Sequence, residues 1–137
     1  MARILAIDYG LKRTGLAVTD PLQIIATGLT TVETPKLMDY LKDYFKKEEV
    51  ELIIIGDPKN LDDSDTDITG AVHHFTRRLK NEFPHIRLEK VDERFTSKMA
   101  SQAMIDMGMK KKQRRDKALI DEIAATIMLQ EWLGRQS

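Results

Sequence analysis

Arg3 to Ile7 is a short run in which every residue after Arg3 is apolar on both parities. That pattern suits a strand buried on both faces of a sheet. The run ends on a carboxylate, Asp8, followed by Tyr9 and Gly10. Residues 9–15 read as a turn and 16–20 as a second strand, and a link this short makes the pair antiparallel. Pro21 breaks the chain, and 24–32, rich in Ile and Thr, reads as a third strand. Thr34 suits a helix N-cap and Pro35 the first helical position. Leu37, Met38, Leu41, Tyr44 and Phe45 then recur at helical spacing to about Glu48. Residues 51–56 (Glu-Leu-Ile-Ile-Ile-Gly) are the strongest strand signal in the chain, continuously apolar and therefore central and parallel. A loop from Asp57 to Asp67 leads to a helix over about 68–83, stopped by Pro84, and to a fifth strand over 86–91. Thr96 or Ser97 caps a helix to about Met107, ended by Gly108. A polar stretch, 109–116, precedes a last helix from about Lys117 to Leu133, with Gly134 at its end. Three antiparallel strands followed by alternating helix and strand predict an α/β chain on a mixed five-stranded sheet.

At 137 residues, with no repeat or low-complexity linker, the expectation is one domain over 1–137. The absence of cysteine excludes disulfides, thiolate metal sites and cysteine nucleophiles, and fits a reducing compartment. Asp8 interrupts the only apolar stretch near the N-terminus and nothing approaches membrane-spanning length, so a cytoplasmic protein without membrane attachment is expected. Net charge is zero but unevenly spread. Nine acids face three lysines from Asp43 to Asp67, and ten basic residues face five acids from Arg87 to Lys117. Such polarity lets a neutral molecule offer a basic surface to a polyanion.

Three acids stand out. An ionised Asp8 is costly to bury alone, by several kcal/mol, so it belongs at the strand's open end beside a cation or capping the following turn. In the last helix Asp121, Ala124, Ala125, Met128 and Trp132 share one face, while Glu122, Thr126 and Gln130 form the polar stripe opposite. Asp121 thus heads an inward face, although a first-turn acid also suits the helix dipole. The fifth strand ends in Asp92-Glu93 beside Arg94, and alternation does not choose between the two acids. Carboxylates on three separate elements match a phosphoryl-transfer site in which oxygen ligands hold two divalent ions about 3.5–4 Å apart. Carboxylate and water ligands select Mg²⁺ or Mn²⁺.

Lys110, Lys111, Lys112, Arg114, Arg115 and Lys117 put six positive charges in eight residues just before the Asp121 helix. A run of this kind is often a solvated surface, but its place beside the acids favours a grip on nucleic-acid phosphates. No aromatic residue interleaves it, so the backbone rather than stacked bases is the expected contact. Lys12 and Arg13 suit the same role. His73 and His74 have no metal-ligand spacing and read as ordinary helix residues.

Ile7-Asp8-Tyr9-Gly10 with Lys12-Arg13-Thr14-Gly15 and Ala17-Val18-Thr19-Asp20 resembles the opening motif of the YqgF/RuvX family. Asp92-Glu93-Arg94-Phe95-Thr96-Ser97 resembles its second motif, and Asp121 with Ala124-Ala125 and Leu129-Gln130 its third. The resemblance spans essentially the whole chain. It implies an RNase H-like fold, catalytic and metal-holding acids Asp8, Glu93 and Asp121, and two Mg²⁺ or Mn²⁺ ions. It further implies a nuclease processing the 5′ end of pre-16S rRNA in ribosome biogenesis, or a Holliday junction resolvase acting on branched DNA. The chain departs from the family after the fourth strand, where Gly56-Asp57-Pro58 and further acids stand in place of Gly-Leu-Pro and Met-Asp-Gly.

Junction resolution would require a homodimer, whereas RNA trimming suits a monomer equally well. An actin-like or sugar-kinase ATPase also carries an Asp-x-Gly hairpin, but it closes two such domains on a nucleotide and this chain has length for one. A catalytically inactive nucleic-acid-binding domain is the remaining alternative.

Overall fold

The computed structural model describes residues 2–57, 67–92 and 117–136. Five strands form one sheet in the order β3-β2-β1-β4-β5: β1 (Arg3–Asp8), β2 (Arg13–Thr19), β3 (Ala26–Glu33), β4 (Val50–Asp57) and β5 (Arg87–Asp92). β1 pairs antiparallel with β2, and β2 antiparallel with β3. β4 runs parallel to both β1 and β5. This is the expected mixed topology. The helices are α1 (Leu37–Lys47), α2 (Asp67–Glu82) and α3 (Lys117–Gln136).

Strand alternation sorts the core into two layers. Leu5 and Ile7 of β1, Leu16 and Val18 of β2, and Ile53 and Ile55 of β4 face α1 and α2, where they meet Leu37, Leu41, Phe75 and Leu79. The opposite parity, Ile4, Ala6, Ala17, Leu52 and Ile54, faces Ala125, Met128 and Leu129 of α3. α3 therefore lies across β1, β2 and β3.

Several boundaries differ from the sequence reading, each for a local reason. β2 starts at Arg13, inside the expected turn, because Arg13 and Thr14 pair with Glu33 and Val32 of β3. Ile24 and Ile25 fall outside β3. Their amides bind the Asp20 carboxylate at 2.8 Å each, which holds them in the β2–β3 turn. Gln23 supports that turn at φ 59°, a left-handed conformation uncommon for a side-chain-bearing residue. Thr34 is not an N-cap. Residues Thr34–Lys36 make a 3-10 turn ahead of α1, and the Thr34 hydroxyl donates instead to the Gly10 carbonyl at 2.6 Å. α3 continues through Gly134 to Gln136, carried by Trp132 and Leu133, which pack on the core. The expected helix over 96–107 and the polar stretch 109–116 lie outside the described residues.

Candidate active site

Along β1, Ile4 and Ala6 point at α3, and the same alternation carries to Asp8, half-buried at the strand's carboxyl end. Asp8 pairs across the ladder with Gly15 of β2. What stands over Gly15 is the backbone of Asp121. A methyl group built on Gly15 would lie 2.0 Å from the Asp121 carbonyl oxygen and 2.9 Å from the Glu122 nitrogen, so only hydrogen fits. The first turns of α3 thus rest directly on β2, and Asp8 and the Asp121 backbone flank the same glycine on one face.

Gly28 of β3 extends the same seat. A Cβ there would collide with the Glu122 side chain, 2.8 Å from Oε1. Glu122 is therefore not the surface acid its polar stripe suggests, but lies half-buried over β3. Gly15 lets the α3 backbone approach more closely than any side chain would permit, and Gly28 leaves room for the Glu122 side chain.

Arg13 shares the parity of Gly15 and Ala17, and its Nε lies 3.4 Å from Asp121 Oδ2. Both side chains are partly exposed, at 37% and 28%, so water screens the pair and its contribution to stability is modest. The contact nevertheless shows that the Asp121 carboxylate draws a cation in this position.

Lys12 is exposed on the loop between β1 and β2, and that loop is tied down from the other side. The Thr34 amide donates to the Lys12 carbonyl at 3.0 Å. The Thr34 hydroxyl has one proton, given to Gly10, so at 3.0 Å from the buried Thr14 hydroxyl it acts as acceptor. Tyr9 packs its ring on Phe75 of α2, centroids 5.1 Å apart, on the sheet face away from Asp8. Burial pushes its phenol above the usual tyrosine range, partly opposed by the positive charge of Arg78.

On β5, Val91 packs into the α3-facing layer and Glu89 accepts a bond from Trp132 Nε1 at 3.1 Å. Glu93 lies outside the described residues, as do Lys110, Lys111, Lys112, Arg114 and Arg115. Among the described residues no three Asp, Glu, His or Cys side chains converge as a metal cluster. His73 and His74 are both exposed, and His73 Nδ1 lies 2.7 Å from Lys90 Nζ. Gly15, Gly28 and Thr34 were not singled out as site residues from the sequence. Thr14 and Gly15 read there as the end of a turn, so nothing at those positions pointed to close backbone approach.

A family model described as "RuvX: Holliday junction resolvase" matches residues 2–135. The chain belongs to the RuvX family. A relative from Christiangramia forsetii is 59% identical over 133 residues, covering 97% of this chain and 98% of its own. One from Flavobacterium psychrophilum is 57% identical over 136 residues, covering 99% of each. Both carry the name "putative pre-16S rRNA nuclease". Among solved structures, Thermus thermophilus RuvC bound to a Holliday junction superposes with a TM-score of 0.60 at 15% identity, over 100% of this chain and 97% of that one. A second RuvC structure gives 0.57 at 13% identity, over 98% of this chain and 96% of that one. At such identity the likeness concerns the fold, and it makes this RuvX chain RNase H-like.

Proposed function

We propose that this RuvX chain is a divalent-metal-dependent nuclease that hydrolyses phosphodiester bonds in structured RNA, and that it trims the 5′ end of pre-16S rRNA. One observation carries the reading: Asp8 and Asp121 come from opposite ends of the described chain yet share one face through the Gly15 contact. The names of its full-length relatives supply the substrate.

The donor set fits a hard divalent ion. Two carboxylates at the open end of a sheet offer only oxygen ligands, which suits Mg²⁺ or Mn²⁺. Glu93 is the proposed third ligand. Its support is the α3-facing parity of Glu89 and Val91, the residues four and two before it, with Asp92 in reserve. Two ions so held would activate a water and stabilise the leaving oxygen. Arg13 and Lys12 then serve the substrate, Arg13 beside Asp121 and Lys12 on the loop anchored by Thr34. Both would position a phosphate without reading bases. Lys110, Lys111, Lys112, Arg114 and Arg115 are proposed to hold the flanking strand. The single domain over 1–137 and a cytoplasmic site of action belong to the same proposal; among the described residues no helix is long and apolar enough to cross a membrane.

The family description keeps branched DNA as the second reading, through the same acids and a dimer. The test is cleavage of labelled pre-16S leader RNA and junction DNA with Mg²⁺ or Mn²⁺. Asp8→Asn, Glu93→Gln and Asp121→Asn should each keep their circular dichroism and lose cleavage by more than about 100-fold, beyond the cost typical of removing an outer-shell partner. Wild-type cutting rates in all three would discard the assignment, and preference for the junction would move the substrate to DNA.

A further inference from the structure

α2 buries Val72, Phe75, Thr76 and Leu79, and its other faces are basic. No acid occurs from Val72 to Asn81, while His73, His74, Arg77, Arg78 and Lys80 are all exposed. Several other cations do pair with carboxylates: Arg3 with Glu48, Lys36 with Glu33, Lys42 with Glu82 and Arg87 with Glu89. Among the described residues neither Arg77 nor Arg78 has such a partner.

Their position matters as much as their charge. Arg78 lies one turn on from Phe75, on whose ring Tyr9 packs. Tyr9 directly follows Asp8. Cations therefore stand on both faces of the sheet. Arg13 stands beside Asp121 on one face, and on the other Arg77 and Arg78 follow Phe75, the ring that Tyr9 packs on. Guanidinium groups suit phosphate oxygens through two parallel hydrogen bonds, and an arginine with no carboxylate partner among the described residues offers those donors.

We propose that Arg77 and Arg78 form a second phosphate-backbone contact on α2, taking the stretch of nucleic-acid strand that has crossed Tyr9 away from the bond cut. The inference rests on the nuclease reading and adds a subsite to it. The contact is with backbone, since the helix presents charge without an exposed aromatic ring for bases to stack on.

The experiment compares wild type, Arg77→Ala/Arg78→Ala, and Lys46→Ala/Lys47→Ala, which removes the same charge from exposed positions at the end of α1. The probe is a fluorescein-labelled single-stranded RNA of mixed sequence. Its affinity is read by anisotropy in EDTA across a salt titration, and its cleavage in Mg²⁺. Loss of the arginines should weaken binding on the order of tenfold at 0.1 M salt. It should also flatten the log–log salt slope by roughly 1.4, two contacts at about 0.7 each. KM should rise while kcat holds, and the lysine variant should match wild type. Arg77→Lys/Arg78→Lys should recover most of the slope, and it replaces the alanine pair if that variant melts early. Unchanged affinity and slope in the arginine variant, or an equal loss in the lysine variant, overturns the subsite and leaves the nuclease reading standing. Wild-type protein that neither binds nor cuts RNA or junction DNA overturns both.

Discussion

On the face covered by α1 and α2 the sheet presents Leu5, Ile7, Leu16, Val18, Ile53 and Ile55, and aromatic rings close the layer. On the face covered by α3 the corresponding positions in β1, β2 and β3 include Ala6, Gly15, Ala17 and Gly28. The first layer buries large side chains, each contributing about 1.5–3 kcal/mol. The second gives up that volume, and what it gains is position: a helix backbone laid on a strand with no side chain between them. Bulk stabilises this molecule on one side, and closeness seats the Asp121 backbone on Gly15, the strand partner of Asp8, on the other.

The change that strikes this contrast hardest is Gly15→Ala. Its methyl group would overlap the Asp121 carbonyl, a backbone atom that cannot rotate away, so α3 must move. Stability should fall by about 1–3 kcal/mol. Turnover should fall by about 100-fold, since a shift near 1 Å at a reacting group costs that much. A variant with wild-type melting and cleavage would show that the contact does not set the site.

A matched pair separates the two faces further. Leu41→Ala opens a void in the bulky layer and should cost about 2–5 kcal/mol with kcat unchanged in the folded fraction. Ala125→Leu overfills the close layer and should cost about 1–3 kcal/mol while lowering kcat as well. Denaturant titration with single-turnover cleavage reads both quantities. Equal effects on kcat would erase the distinction between the faces.

The smallest effect belongs to the β2–β3 turn at the far end of the strands. Amides of Ile25, Ile24 and Leu22 hold the Asp20 carboxyl below its ordinary range. Because the folded value is depressed, the turn's support is complete above the unfolded value and disappears as pH falls through the folded one. Amide NMR shifts of Ile24 and Ile25 should titrate below the ordinary aspartate range, and Asp20→Asn should abolish that titration without changing kcat. A change in kcat would couple this end of the sheet to the acids.

Much of this was legible from pattern. β1 and β4 announce themselves as unbroken apolar runs, and the 3–4 spacing of Ala124, Ala125 and Met128 turns Asp121 inward. What was not legible is long-range. Arg13 and Asp121 are 108 positions apart, and nothing in either neighbourhood names the other. Gly15 reads locally as a turn residue, and only the strand partner and the helix above it show why a side chain cannot stand there. Thr34 fits a cap by its own sequence, but a 3-10 turn over Thr34–Lys36 precedes α1, and its hydroxyl is tied to the Gly10 carbonyl and the Thr14 hydroxyl rather than to a helix amide. Ile24 and Ile25 carry strong strand propensity, yet Asp20 claims their amides, leaving them 67% and 63% exposed.

The path of the chain also bears on the order in which this molecule assembles. β1 opens the described chain and α3 closes it, so the seat of the Asp121 backbone on Gly15 spans most of the sequence. Contacts of such separation carry a large loop-closure cost and form late. As the chain is synthesised, the sheet's bulky layer has both of its helices before α3 exists to cover the other face. The α3-facing side of the sheet, with Asp8 at its edge, thus stays uncovered in the nascent chain until the closing helix docks.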